Sequence, residues 1–188
     1  HARPLAKRIR KALKGRDLLP TDLPMGIAGT SRWLRMVAEA AGVDAPRTEA
    51  FIQRREKSTR TQLRFLLDRW RGQRLAVFAE PPLAAGMASM LAELGMLPSL
   101  IGLKGSSLGG RDEFLAAVSA DGIALPDDLT ILENPSLAEM RTEFADRMRT
   151  RTLAGVLGSA TDLNVLTTIS AEEVGCVGET GPLFMEIG

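Results

Sequence analysis

Cys176 and His1, the single cysteine and the single histidine, bound the chemistry open to this chain. One thiol makes no internal disulfide, and alone it cannot hold an iron–sulfur cluster or a structural zinc. An imidazole at the chain end argues against a Ser/His/Asp triad or a His acid/base pair. No catalytic residue and no metal ligand is assigned. Carboxylates, hydroxyls, lysines and backbone amides remain, and they gather where short apolar runs stop. Those stops are Glu80-Pro81-Pro82, Lys104-Gly105-Ser106-Ser107, Glu133-Asn134 and Gly158-Ser159-Ala160-Thr161. From them we take Glu80, Lys104, Ser106, Gly158 and Ser159 as candidate cofactor- or ligand-binding residues. Glu80 could serve as an acid/base group, although a capping or solvated carboxylate is the plainer reading. The small residues at 158–160 would let backbone amides approach an anion.

Nucleotide chemistry is poorly supported. Lys104-Gly105-Ser106 is like the end of a phosphate loop, but the G-x-x-x-x-G-K-[ST] order is absent. Ala79-Glu80-Pro81-Pro82 carries no G-x-G-x-x-G, and its prolines remove two amide donors where a pyrophosphate would need them. Gly175, Gly178 and Gly181 precede a strand instead of opening a helix, so they read as a connection. Cys176 lies among them, as a free thiol or a ligand shared with another chain, and more simply as neither.

These residues need elements to position them. Leu75–Ala79, Ser99–Leu103, Leu129–Glu133, Leu153–Leu157 and Leu183–Ile187 read as strands. They are apolar on both faces, as in a covered parallel sheet. Helices are expected over Pro82–Leu94, Gly110–Ala120, Pro135–Met148 with Asn134 as cap, and Asp162–Glu173. Upstream, Leu5, Ile9 and Leu13 mark a short helix over 4–15. Thr30 or Ser31 caps a helix ending at Gly42. A longer helix runs from Arg47 to Trp70 with Phe51, Ile52, Leu63, Leu66, Leu67 and Trp70 as its buried stripe. Repeated β-α-β units give an α/β fold: a doubly wound, mostly parallel, Rossmann-like sheet over 74–188, preceded by a basic helical arm over 1–73.

Charge divides at the same place. Eighteen Lys and Arg stand against seven Asp and Glu through residue 74, a net of +11, and the remainder carries −10. A basic arm can bind nucleic acid by counterion release. The lack of Tyr, and the placement of Trp33 and Trp70 beside aliphatic residues, favour a solvated or partner-facing surface instead. At 188 residues and 45% hydrophobic the chain can bury a core of its own. Its longest apolar runs, roughly six residues, fall far short of a bilayer, so no membrane partner is expected. With no apolar leader segment after its basic start, we read it as a piece of a longer cytoplasmic protein.

Three stretches together carry a family resemblance. Leu23-Pro24-Met25-Gly26-Ile27-Ala28-Gly29-Thr30-Ser31-Arg32-Trp33-Leu34 resembles the P-x-G-x-x-x-T-x-x-[FW]-[LI] segment of the nitrogenase component 1 superfamily. Gly72-Gln73-Arg74-Leu75-Ala76-Val77-Phe78 is similar to its G-K-R-[FV]-A-[LV] strand start. Leu91-Ala92-Glu93-Leu94-Gly95-Met96, followed by Pro98, resembles its [FL]-L-x-E-L-G-M-x-P helix end. Leu157-Gly158-Ser159 is like the family's G-[NS]-S, and 182–188 looks like the approach to a G-F-P turn. The family's D-P-D-type turn is Glu80-Pro81-Pro82 here, and no Gly-Lys follows Ser159.

The resemblance implies a subunit of a nitrogenase-like reductase: nitrogenase, dark-operative protochlorophyllide reductase, chlorophyllide reductase or a cofactor-assembly scaffold. It implies a homologous partner subunit, electrons from an ATP-dependent iron protein, and three similar α/β domains per subunit. It also implies an iron–sulfur cluster whose ligands lie outside this chain. The expected role is a structural and docking domain, inactive by itself. The alternative is a non-catalytic small-ligand-binding or cofactor-assembly module.

Overall fold

The computed structural model describes residues 23–105, 109–150, 152–159, 164, 166–168 and 183–186. Two helices lead the described chain, α1 (Gly26–Ala40) and α2 (Ala45–Trp70). There follow β1 (Arg74–Ala79), α3 (Pro81–Glu93), β2 (Leu97–Leu103), α4 (Gly110–Ala120), β3 (Thr130–Glu133), α5 (Leu137–Arg149), β4 (Gly155–Gly158) and β5 (Leu183–Glu186). The five strands form one sheet in the order β3-β2-β1-β4-β5, and every pairing is parallel. The chain winds outward from β1 to β3, then returns past β1 to place β4. That reversal makes the sheet doubly wound.

Alternation along β1 distributes the core. Leu75, Val77 and Ala79 pack with Ile101 and Leu103 of β2 under Ala84, Ala88 and Leu91 of α3 and Phe114 and Val118 of α4. Ala76 and Phe78 point the other way, with Leu100, under Met140 and Phe144 of α5 and Val156 and Leu166. Small residues in α3 let it sit close to the sheet. Gly102 stands against Phe78, and a Cβ there would clash with the edge of the Phe78 ring.

Several boundaries differ from the sequence reading. The strand expected from Ser99 begins at Leu97: Pro98 pairs with Leu75, and the register shift between Leu75 and Ala76 falls on Ser99, which has no Cα partner. Neither Thr30 nor Ser31 caps the second helix: α1 begins four residues before Thr30, at Gly26. Its cap comes from far along the chain. The Glu93 carboxylate accepts hydrogen bonds from the Ile27 and Ala28 amides at 2.6 and 2.8 Å. Asn134 is not the cap of α5 either. Ser136 and Glu139 form a capping box, with the Ser136 amide donating to Glu139 Oε2 at 2.8 Å and the Glu139 amide to Ser136 Oγ at 3.2 Å.

The stripe expected on the long helix is mostly unburied. Ile52 is buried, Phe51 is 39% exposed, and Leu63, Leu67 and Trp70 are half-buried. The Leu66 side chain lies outside the described residues, as does the helix expected over 4–15. The reason is length. Helix α1 has 15 residues and α2 has 26, so α1 covers little more than half of its neighbour.

The three stretches that carry the resemblance converge in space. Gly26 adopts φ +67, and a Cβ on it would stand 2.7 Å from Glu93 Oε2 and 3.2 Å from Met90 Cα. The Gly72 amide donates to the Gly95 carbonyl at 2.7 Å, and the Leu97 amide to Gln73 O at 2.9 Å. The amino edge of the sheet is thus tied to α1 through the end of α3.

Candidate functional site

In a doubly wound sheet the crevice for ligands opens at the carboxyl ends of the strands, where the winding reverses. Here the reversal lies between β1 and β4. Val77 pairs with Leu157, so Glu80 and the Gly158-Ser159 pair lie a few residues further on at the same edge. Gly158 is buried, and Ser159 and Glu80 are exposed. Lys104 is half-buried one strand away, its amide donating to the Ala79 carbonyl at 2.9 Å. The fold therefore aligns four of the five candidate residues along one edge. Ser106 lies outside the described residues, as do Cys176, Gly175, Gly178 and Gly181.

Among the described residues three helix starts lie at this edge, and each is closed to an anion. The first turn of α3 holds Pro81 and Pro82, which donate nothing, while its N-cap Glu80 makes no side-chain cap bond. At α4 the chain supplies its own anion: the Arg111 amide donates to Glu133 Oε1 at 2.8 Å. Gly109, at φ +94, turns the chain into that helix. At α5 the capping box occupies the Ser136 and Glu139 amides and sets a carboxylate at the helix start, and both the hydroxyl and the amide of Ser136 hold the Glu139 carboxyl below its ordinary value. The positive helix ends that cradle phosphates elsewhere are here filled from within. What the edge offers between β1 and β4 is one carboxylate, one hydroxyl and a close-approach glycine. That set could position a neutral or cationic group, or line the wall of a larger cleft.

Sequence reasoning missed two half-open pockets. A cavity of about 330 Å³ lies between α1, α2 and the end of α3, walled by Leu34, Ile52, Leu63 and Met90. Some of its polar groups are already engaged: the Ser31 hydroxyl donates to Glu56 Oε1 at 2.6 Å, and Glu93 caps α1. A second cavity of about 330 Å³, at the amino edge, is lined by Arg74, Ser99, Asp128 and Arg147. There Arg74 pairs with Asp128 at 2.7 Å, and Arg147 reaches Glu143 and Thr130, each at 2.8 Å. Both spaces arise from packing between distant segments; the first is lined in part by two of the family-like stretches, 23–34 and 91–96, although their pattern does not announce a pocket.

Among the described residues, no group of three or more His, Cys, Asp or Glu is placed to hold a metal ion. A thiolate-ligated iron–sulfur cluster also needs more cysteines than the one in the whole sequence. The residues present do not fit such a cluster. Among the described residues, no helix is long and apolar enough to cross a membrane.

Comparison with known proteins agrees with the topology. A solved structure described as nitrogenase Cp1 at pH 6.5 superposes with a TM-score of 0.64 at 14% identity, covering 89% of this chain and 32% of that one. The chain thus spans about a third of that relative's length, and at this identity the likeness is one of fold. No curated protein matches the chain. The sequence model of the nitrogenase component 1 type oxidoreductases matches residues 2–161. A match over most of the sequence, on a doubly wound parallel sheet whose motif-bearing stretches interlock, places this chain in the nitrogenase component 1 type oxidoreductase family.

Proposed function

We propose that the chain is a structural and docking domain of a nitrogenase-like oxidoreductase subunit, with the α/β unit of 74–188 entered through the basic helices of 1–73. The observation that carries this reading is the family match, joined to a carboxyl edge whose described helix ends are closed to phosphate. Such an edge does not suit a nucleotide module. It suits a wall, with Glu80, Lys104, Gly158 and Ser159 along a cleft that other parts of the protein complete. Cluster ligands would come from outside this sequence. Electrons would arrive from an ATP-dependent iron protein, and a homologous subunit would pair with this one in the cytoplasm.

Anaerobic reconstitution tests the proposal. The chain incubated with iron and sulfide should take up no stoichiometric cluster by absorbance and iron assay. It should reduce no substrate when an iron protein and ATP are added. A bound cluster or turnover by the chain alone would overturn the reading. A thermal-shift screen with nucleotides, sugars and anions covers the ligand-binding alternative: a shift of several degrees with one class would favour it.

A further inference from the structure

The pocket between α1, α2 and the end of α3 has an apolar wall and a polar rim, and the rim divides in two. On one side the polar groups are engaged. The Thr30 hydroxyl donates to the Gly26 carbonyl at 2.6 Å, the Ser31 hydroxyl donates to Glu56, and both Glu93 oxygens accept amides of α1. The Arg35 guanidinium also feels the Glu56 charge, so that charge is partly answered. On the other side stand Arg55 and Thr59, one turn apart on α2 and both lining the pocket. Arg55 is exposed and Thr59 half-buried. The Arg55 guanidinium lies 5.3 Å from the centre of the Phe51 ring and meets no carboxylate among the described residues. Thr59 differs from two threonines of the same helix. The hydroxyls of Thr48 and Thr61 donate to carbonyls four residues back, at 3.1 and 2.9 Å. The Thr59 hydroxyl makes no such bond among the described residues and stays uncommitted beside the cation.

Behind these two groups the wall is Leu34, Ile52, Leu63, Met90 and Leu94. Its volume of about 330 Å³ stands at the lower end of the range for ligand cavities. A free cation and a free hydroxyl at the mouth of an apolar space select an anionic head on an apolar body. We infer that this pocket binds a small amphiphilic carboxylate. Its oxygens meet the Arg55 guanidinium and the Thr59 hydroxyl, both donating, and its hydrocarbon lies along Ile52, Leu63 and Met90. A cationic amphiphile is repelled by Arg55. A neutral one gains the wall but leaves the Arg55 charge unanswered. The pocket sits at the far end of α3 from Glu80, so this site is separate from the carboxyl edge and from the docking role.

Methyl NMR of the whole chain, titrated with sodium octanoate, tests the inference. Signals from Ile52 and Leu63 should move saturably as octanoate rises to about 10 mM. Signals from Leu100 and Val156, buried in the sheet core, should hold still. Octylammonium should bind at least about tenfold more weakly than octanoate. R55Q should weaken octanoate about tenfold and leave 1-octanol unchanged, and T59V should weaken it about threefold. L63W fills the space and should abolish the movement, with the Leu100 and Val156 signals reporting its fold. Should L63W not fold, R55Q, at an exposed position, must still lose affinity. No saturable movement with octanoate would overturn the inference. So would equal affinity for octylammonium, or octanoate binding that R55Q leaves intact. Pocket signals that follow protein concentration instead of octanoate would give the space to a second copy of the chain and overturn it as well.

Discussion

The two edges of the sheet solve opposite problems. At the amino edge distant segments are stitched together: Glu93 reaches from the end of α3 to cap α1, and Gly72 and Gly95 bond across the entry to β1 and β2. At the carboxyl edge each described helix start is closed within its own neighbourhood, by Pro81-Pro82, by Glu133 or by the Ser136–Glu139 box. Of the residues that make the family recognisable, all but Leu157-Gly158-Ser159 belong to the first edge or to the elements tied to it, away from the crevice where this fold holds ligands. The residues that could face a ligand in that crevice belong to the second, where the family pattern is altered. What is recognisable in this chain is therefore its scaffold.

Substitutions can break that contrast. Gly26→Val demands a left-handed backbone from a β-branched residue and drives its side chain into Glu93 and Met90. Strain and overpacking together should cost about 3–4 kcal/mol, read as a lowered urea midpoint. Glu93→Ala leaves two amides at the start of α1 without their acceptor and should cost about 2 kcal/mol. The matched change at the other edge, Glu80→Ala, removes a carboxylate that caps nothing and should stay within about 0.5 kcal/mol. Equal losses at Glu93 and Glu80 would erase the distinction between a stitched edge and an open one.

The fold was largely legible because strand period and helix length are local signals. Both faces of β1 and β2 are covered, and their unbroken apolar runs say so. What could not be read depended on distant partners. A helix start four residues before Thr30 is invisible in the local sequence, since the capping carboxylate is 66 residues from the Ile27 it binds. The stripe from Phe51 to Trp70 has the spacing of a buried face, but spacing does not say whether a neighbour is long enough to cover it. At the candidate site, the Pro81-Pro82 block was plain in the sequence. The closure of α4 by Glu133 was not, because Glu133 and Arg111 meet only once β3 lies beside β2.

Glu133 offers a subtler probe of the carboxyl edge. Glu133→Ala should cost about 1 kcal/mol, the usual loss for a capping carboxylate. The same change should open the start of α4 to an outside anion. The variant should then gain thermal stability in inorganic phosphate that the parent does not gain. If parent and variant respond alike, self-occupation of that helix end is not what keeps anions away.

The smallest effect expected is at α5, and its sign follows from linkage. The Ser136 hydroxyl and amide both donate to the Glu139 carboxyl, which lowers its pKa in the folded chain from an ordinary 4.5. A group whose folded pKa is depressed contributes stability that is fully present above its unfolded value and is lost as pH falls through the folded one. Ser136→Ala removes the hydroxyl that donates to the carboxyl and accepts from the Glu139 amide. It should lower the melting temperature by about 1–2 °C near neutral pH. The gap should narrow as pH drops below the ordinary carboxyl value, because protonated Glu139 no longer gains from the box in either protein. A gap that is constant from neutral to acidic pH would mean that Ser136 acts only as a neutral cap, with the Glu139 charge taking no part in closing this helix.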